Sequence, residues 1–137
     1  MDILRTFHLH MISDATGETL VTIAKAVRVQ YAQVRAIEHL HPLVRSRREL
    51  ERVVKDVEAA PGIVLYTLFN RELAEELEKS CKRLNIPCVP ALKPILQVFE
   101  SYLGTPATPT VGGPMAADAP ARPAFFALLT LIPQILI

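Results

Sequence analysis

The chain has 137 residues, half of them apolar and 21% charged, a composition typical of a globular domain and not of a disordered segment. Its formal net charge of +1 argues against a global field that would draw it to nucleic acid or to an anionic membrane. Tryptophan is absent and aromatic residues make up only 6%, which argues against a stacking platform for single-stranded nucleic acid.

The amino-terminal part of the chain alternates between strand and helix patterns. Residues 6–13 alternate apolar and polar side chains, which predicts a strand. Residues 16–32 have the spacing of a helix with one apolar face. A second strand is predicted over residues 34–43, where Pro42 stops it. The apolar face of the first helix is predicted to consist of Leu20, Ile23, Ala24, Val27 and Tyr31.

The next unit begins with a capping box. Ser46 is followed three residues later by Glu49, which predicts the start of a helix that Pro61 and Gly62 end. Residues 62–68 form a continuous apolar run, the pattern of a central strand that is covered on both faces. No signal peptide is expected, because the amino terminus contains charged residues and lacks a long apolar region.

Two further elements complete the pattern. Asn70 is predicted to cap a helix over residues 71–84. Residues 86–92 predict a fourth strand that its two prolines weaken, which indicates either an edge strand or a strand end. A last helix is predicted over residues 94–103, with proline in its first turn and Gly104 at its end. The cysteines, on the third helix and the fourth strand, fit no metal spacing or disulfide framework and indicate reduced thiols in a cytoplasmic protein.

Four successive strand–helix units predict an α/β fold over residues 1–104: a doubly wound, mainly parallel four-stranded sheet with helices on both faces. Such sheets bind ligands at the carboxyl ends of their strands. Residues 105–123 are rich in proline, alanine and glycine and are interpreted as a linker. Residues 124–137 form an apolar tail that is short for a membrane span and favours self-association into a homo-oligomer.

Small polar residues crowd the first strand-to-helix turn, in the sequence HLHMISDATGETL. A glycine turn and hydroxyl groups beside a helix N-terminus favour an anion, often a phosphate. The alternative is a well-capped helix, with Asp14 or Thr16 as the cap and the other hydroxyls solvated. The candidate anion-binding residues of this turn are Ser13, Asp14, Thr16, Gly17 and Thr19.

The second strand-to-helix turn is rich in arginine, in the sequence HPLVRSRREL. Guanidinium groups can bind phosphate or carboxylate oxygens through two parallel hydrogen bonds. The alternative is a solvated first helical turn whose arginines pair with Glu49 and Glu51. Two polar turns on one sheet make a shared anion site more plausible than either turn alone. The candidates here are Arg45, Ser46, Arg47 and Arg48.

Four histidines repeat one spacing on the first two strands: His8, His10, His39 and His41. Imidazoles on neighbouring strands can ligate a metal. No cysteine or cluster of carboxylates accompanies them, so simple pairing across the sheet is favoured and no metal site is predicted. The sequence also lacks a Walker-type loop, a Gly-x-Gly-x-x-Gly fingerprint and a Gly-x-Ser-x-Gly nucleophile elbow.

Five blocks carry a family resemblance: HLHMISDATGETL, AIEHLHPLVRSRRELERVV, PGIVLYTLFN, LNIPCVPAL and SYLGTPATPTVGG. In this order they resemble the amino-terminal part of the bacterial regulatory proteins of pyruvate, phosphate dikinase and phosphoenolpyruvate synthase. The resemblance implies a bifunctional serine/threonine kinase and phosphorylase. Such a protein uses ADP to phosphorylate a threonine of its target enzyme, and inorganic phosphate to remove that group with release of pyrophosphate.

The sequence departs from the family after Gly113, where the family continues into a glycine-rich nucleotide loop with a Lys-Thr pair that has no counterpart here. Either the reading frame is interrupted near that residue, or this is a natural short form whose tail packs on the domain or on a partner. Two functions follow as expectations. One is an enzyme represented by its amino-terminal part and inactive alone, and the other is a non-catalytic docking or phosphate-binding module.

Overall fold

The computed structural model describes residues 5–108 as an alternation of four strands and four helices. The predicted tail and most of the predicted linker lie outside the described residues. The elements, in chain order, are β1 (Arg5–Ser13), α1 (Glu18–Arg28), β2 (Val34–His41), α2 (Arg47–Ala59), β3 (Gly62–Thr67), α3 (Arg71–Arg83), β4 (Cys88–Pro90) and α4 (Lys93–Leu103).

The four strands form one parallel sheet in the order β2-β1-β3-β4. His10 of β1 lies opposite His39 of β2 and Val64 of β3, which fixes the register of the three long strands. Gly62 lets β3 approach β1, since a side-chain Cβ at this position would lie 1.9 Å from the carbonyl oxygen of His8. The parallel, doubly wound sheet predicted from the sequence is confirmed.

Helices cover both faces of the sheet, and each face has its own apolar core. On one face α1 packs against β1 through Leu20 and Ala24, which contact Leu9 and Met11. On the other face α2 and α3 cover β1 and β3 in a larger cluster. Its buried members are Ile12, Val44, Leu50, Val53, Val57, Val64, Tyr66, Leu68, Leu73, Leu77, Cys81 and Ile86.

Three local predictions are confirmed by cap geometry. The Ser46 hydroxyl accepts a hydrogen bond from the Glu49 amide at the start of α2. The Asn70 side chain accepts one from the Leu73 amide at the start of α3. Gly104 ends α4 with a φ of 67°, a left-handed conformation that glycine adopts without steric cost.

The first helix is shorter than the sequence pattern predicts. It ends at Arg28, where the amides of Gln30 and Tyr31 donate to carbonyls three residues back, a tightening typical of a helix end. The predicted inward positions Val27 and Tyr31 are therefore wrong, because both side chains are exposed. The spacing identified the helical face but not the point at which the sheet stops covering it.

The strands also differ in detail from their predictions. β2 ends at His41, because Pro42 has no amide for the ladder and Leu43 adopts a left-handed φ of 58°. β3 lies in the sheet interior, yet Ile63 is exposed, so its predicted burial on both faces is wrong at that residue. β4 is an edge strand, one of the two predicted possibilities, and has only three residues.

Candidate functional site

The loops after β1, β2 and β3 meet at the carboxyl edge of the sheet. The chain leaves β1 toward β2 on one side and then returns to β3 on the other side. This reversal makes the neighbourhood of β1 the topological switch point, where open α/β sheets have their ligand crevice. Both polar turns singled out in the sequence flank this point.

Hydrogen bonds fasten the first of these turns to the second. The Val44 amide donates to the Ser13 carbonyl and the Leu43 amide to the Ala15 carbonyl, each at 2.9 Å. The Nε of Arg45 donates to the Asp14 carbonyl oxygen at 2.7 Å. The two polar turns therefore lie side by side at this edge of the sheet.

Asp14 connects the same turn to the loop after β3. Its carboxylate oxygen Oδ2 accepts from the Phe69 amide at 2.8 Å, and its own amide donates to the Thr67 carbonyl at 3.3 Å. The residue is only 2% exposed. Burial raises the pKa of the Asp14 carboxyl above its ordinary value, against the opposing effects of the Phe69 amide and of Arg45.

Helix α1 begins without a side-chain cap. Gly17 occupies the N-cap position with a left-handed φ of 86°, and a Cβ there would lie 2.6 Å from Leu40 Cδ1. The predicted caps are wrong because Asp14 faces the Phe69 amide and Thr16 makes no such bond. The first amide groups of α1 consequently lack a side-chain acceptor among the described residues, and such groups favour an anion.

Helix α2, unlike α1, begins with a side-chain cap. Ser46 serves as its cap, and Glu49 Oε1 accepts from the Ser46 hydroxyl at 2.9 Å and from the Arg45 amide at 3.2 Å. The Ser46 hydroxyl is the main cause of a lowered pKa at Glu49. Arg47 lies 3.7 Å from a carboxylate oxygen of Glu51 and 3.6 Å from one of Glu76. Ser46 and Arg47 are thus engaged within the protein.

The nine predicted residues therefore separate into groups. Ser13, Asp14, Gly17 and Arg45 belong to one junction of loops. Thr16, Thr19 and Arg48 are exposed on the two turns that flank it. Within residues 5–108, Arg45 uses only its Nε in a side-chain hydrogen bond. Its two terminal nitrogens are therefore available to a ligand.

Sequence reasoning missed the main-chain groups of the junction. The Phe69 amide and the Thr67 carbonyl hold Asp14 in place, and neither depends on the identity of the side chain. The only signal was topological, since Phe69 follows the strand that lies beside β1 and a polar Asn70 comes next.

The four histidines form a ladder on the face of the sheet that α2 covers. His8 Nδ1 lies 2.8 Å from His39 Nε2, and His10 Nδ1 lies 3.0 Å from His41 Nε2. The rings of His10 and His39 stack with centroids 4.5 Å apart. His10 Nε2 donates to the Ala60 carbonyl at 2.7 Å, so His10 Nδ1 accepts from His41 when His10 is neutral.

Pairing across the sheet, the favoured interpretation of these histidines, matches this geometry. Burial lowers the pKa of both His10 and His41, and neighbouring histidines lower it further, while the Ala60 carbonyl at His10 and Asp56 at both residues oppose the effect. Among residues 5–108 no group of three or more potential ligands is arranged to hold a metal ion. Within the same range no helix has the length and apolar character needed to cross a membrane.

The raised pKa of Asp14 leads to a stability prediction. A carboxyl whose pKa is higher in the folded state loses stabilising free energy as pH rises through that value. We therefore expect Asp14→Asn, which keeps an oxygen acceptor for the Phe69 amide, to be at least as stable as the wild type at pH 7. Urea unfolding measures this, and the advantage should vanish near the ordinary carboxyl pKa of about 4.

The matched control is Asp14→Ala, which removes the acceptor as well as the charge. It leaves the Phe69 amide unsatisfied, a loss of about 1–3 kcal/mol. Equal destabilisation by both substitutions would contradict the assigned role of the side-chain oxygen.

The histidine ladder leads to a second prediction. Because the pKa values of His10 and His41 are lowered in the folded state, their contribution is present above about pH 6.5 and is lost as pH falls below it. We expect the free energy of unfolding to fall more steeply in the wild type than in the double variant His10→Gln/His41→Gln as the pH is lowered from about 6.5, the ordinary histidine pKa, to about 5. Urea unfolding at several pH values gives both slopes.

In the same experiment, stability at pH 8 serves as the control that the double variant is folded. Identical pH profiles in the two proteins would remove the histidine pair as the cause.

Comparison with known proteins places these features in a family. Residues 9–121 match the family model described as kinase/pyrophosphorylase, a match that runs beyond Gly113 into the predicted linker. Relatives from Rhodopseudomonas palustris strain BisA53 and Bradyrhizobium diazoefficiens are each 50% identical over 113 residues, which is 82% of this chain and 40% of theirs. A relative from Chelativorans sp. strain BNC1 is also 50% identical and is covered to 42%.

These relatives carry the provisional name pyruvate, phosphate dikinase regulatory protein. The chain spans about two-fifths of the length of the curated relatives that it matches. The match of the family model covers most of the chain and includes β1 through α4. The chain therefore belongs to the kinase/pyrophosphorylase family.

Proposed function

We propose that this chain is the amino-terminal part of a cytoplasmic regulator that phosphorylates and dephosphorylates a threonine of pyruvate, phosphate dikinase or phosphoenolpyruvate synthase. The forward reaction uses ADP as phosphate donor, and the reverse reaction uses inorganic phosphate and releases pyrophosphate. Support comes from the family match over residues 9–121 and from the name that the 50% identical relatives carry.

We further propose that the part of this reaction carried by the present chain is the binding of an anionic phosphate group. The observation that carries this proposal is the junction of loops around Asp14 at the switch point. There the Arg45 guanidinium is bonded to the Asp14 carbonyl oxygen, three residues before the uncapped start of α1 at Gly17, so one turn carries both a fixed positive charge and, within residues 5–108, free amide donors. Glu18, in the first turn of α1, adds a negative charge that repels an incoming anion.

Phosphotransfer itself needs more than this junction. The sequence contains no glycine-rich loop with a Lys-Thr pair, the element that would hold the phosphates of a nucleotide. In the proposed scheme this chain supplies an anion-binding surface, and the nucleotide loop belongs to a part of the regulator that this sequence does not contain.

This scheme predicts that the purified chain phosphorylates neither dikinase nor synthase to a detectable extent when ADP is supplied. Incorporation of label from β-labelled ADP into the target threonine is the measurement, and a regulator that contains the nucleotide loop is the positive control. Stoichiometric labelling by this chain alone would overturn the proposed division of labour.

A non-catalytic docking module is the second candidate, and an exposed arginine of the second turn favours it. Arg48 lies in the first turn of α2 and makes no ion pair within residues 5–108. Such a module would recognise a phosphothreonine segment of the target without transferring phosphate. Both candidates require the same anion site, so one set of variants tests that shared element.

Arg45→Ala and Arg48→Ala are each expected to weaken binding of inorganic phosphate or of a phosphothreonine peptide about tenfold, equivalent to about 1.4 kcal/mol. Isothermal titration calorimetry measures the affinities. Arg45→Ala also removes the bond to Asp14, whereas Arg48→Ala leaves the junction intact and reports on charge alone.

The matched control is Lys55→Ala, which removes the same charge from α2 two turns further along the helix. Its affinity for both probes should equal that of the wild type. If the Arg48 and Lys55 variants bind equally well, Arg48 is a solvated residue and not a ligand. Tighter binding of the peptide than of free phosphate would favour the docking module.

A further inference from the structure

The two cysteines of the chain, Cys81 on α3 and Cys88 on β4, lie side by side as free thiols. Cys81 is only 1% exposed and belongs to the larger apolar cluster, and Cys88 packs against the same cluster. The Cys88 thiol donates a hydrogen bond to the Cys81 sulfur. The two sulfur atoms are therefore neighbours in the folded chain.

The turn between α3 and β4 fixes this contact. The Ile86 amide donates to the Cys81 carbonyl at 2.8 Å, which folds the chain back at the end of the helix. Asn85 adopts a left-handed φ of 59°, a conformation that asparagine tolerates better than most residues. Cys88 then lies opposite Val64 in the ladder between β4 and β3. Regular structure on both sides of the turn thus holds the two thiols together.

An open cleft gives small molecules access to one of the two thiols. The cleft has a volume of about 530 Å³, and Cys88 lines it together with Glu78 and Lys82, one charge of each sign. Cys88 is partly exposed, whereas Cys81 is buried. A reagent that enters the cleft therefore meets Cys88 first, while Cys81 is held next to it.

The hydrogen bond between the thiols also divides their reactivity. It lowers the pKa of the Cys81 thiol below its ordinary value, against the effects of burial and of Glu78. The same bond raises the pKa of the Cys88 thiol. Once the pair has lost one proton, the negative charge rests mainly on Cys81. Because the thiolate is the attacking species in thiol–disulfide exchange, Cys81 is suited to attack a sulfur held at Cys88.

We propose that Cys81 and Cys88 are a site of reversible oxidation, at which a low-molecular-weight disulfide such as oxidised glutathione joins them in an internal disulfide. The Cys88 sulfur, its proton passed to Cys81, attacks the reagent, breaks its S–S bond and releases one thiolate. That thiolate takes the proton from Cys81. The Cys81 thiolate then attacks the Cys88 sulfur of the mixed disulfide, forms the internal bond and expels the second half of the reagent. Two cysteines are oxidised, and the reagent is reduced to two thiols.

The internal disulfide fastens the edge of the sheet. β4 has three residues and pairs with β3 alone among the strands of residues 5–108. A covalent bond from Cys88 to α3 opposes the local opening to which so short an edge strand is prone. The site shares no residue with the Asp14 junction, so the proposal does not depend on the proposed phosphate chemistry.

The test incubates the folded full chain with oxidised glutathione and follows its mass. We expect a loss of about 2 Da, the mass of two hydrogens, and a fall in titratable thiols from two to none. Trypsin cuts after Lys82 and Arg83, which lie between the cysteines, so the two cysteine peptides stay joined only through the disulfide. Dithiothreitol should restore both thiols, and the circular dichroism spectrum should stay native throughout.

Two variants separate the roles of the thiols. Cys81→Ala lacks the second nucleophile and should accumulate a glutathione adduct at Cys88. Cys88→Ala should resist the reagent, because the remaining thiol is buried.

The wild-type result decides the proposal whether or not either variant folds. A lasting glutathione adduct, a disulfide between two copies of the chain or an unreactive chain would each overturn it. An internal disulfide that forms only with loss of the native spectrum would overturn it as well, because the folded geometry would then not hold the thiols ready.

Discussion

The bond between the buried Asp14 carboxylate and the Phe69 amide holds the carboxyl edge of this domain together. Parallel pairing already places the carboxyl ends of β1 and β3 side by side, with Ser13 opposite Thr67, but the ladder ends there. Beyond it, Asp14 ties its own loop to the loop after β3 through its carboxylate and to the loop after β2 through its carbonyl oxygen, which accepts from Arg45. A neutral side chain with the same oxygen would fasten the loops without burying a charge.

The histidine ladder fastens the same strand at its middle. His10 reaches across to His41 on β2 and to the Ala60 carbonyl at the end of α2, and thus connects the edge strand with the helix that follows it. β1 is consequently held at two levels, by imidazoles near its centre and by a carboxylate at its end. Both sets of contacts position the first two strand-to-helix turns, which carry the proposed phosphate contacts. No metal is needed to explain why four imidazoles share one face, since each pair is joined by a hydrogen bond.

Much of the fold follows from local signals in the sequence. Ser46, Asn70 and Gly104 mark helix ends because capping depends on nearest neighbours, and the strand–helix alternation then leaves few possible topologies. The exposure of Val27 on α1 and of Val98 and Tyr102 on α4 could not be foreseen, because helical spacing defines a face but not what covers it. The orientation of Asp14 was equally hidden. Its partner is a main-chain amide that lies 55 residues further along the chain, and no side-chain pattern records such a contact. The sequence pattern was enough to locate the two polar turns. The contact that joins Asp14 to the loop after β3 required knowledge of how β1 and β3 pair.

The direct test of a phosphate-binding edge is a titration of the isotopically labelled chain with inorganic phosphate, followed by nuclear magnetic resonance of its backbone amides. Amide donors at the start of α1 and the groups around Arg45 respond first if the anion binds at the Asp14 junction. We expect saturable shifts that concentrate in residues 15–19 and 45–48, with little change on α3 or α4. Shifts that are absent, or that concentrate elsewhere on the sheet, would contradict this assignment and leave the junction with a purely structural role.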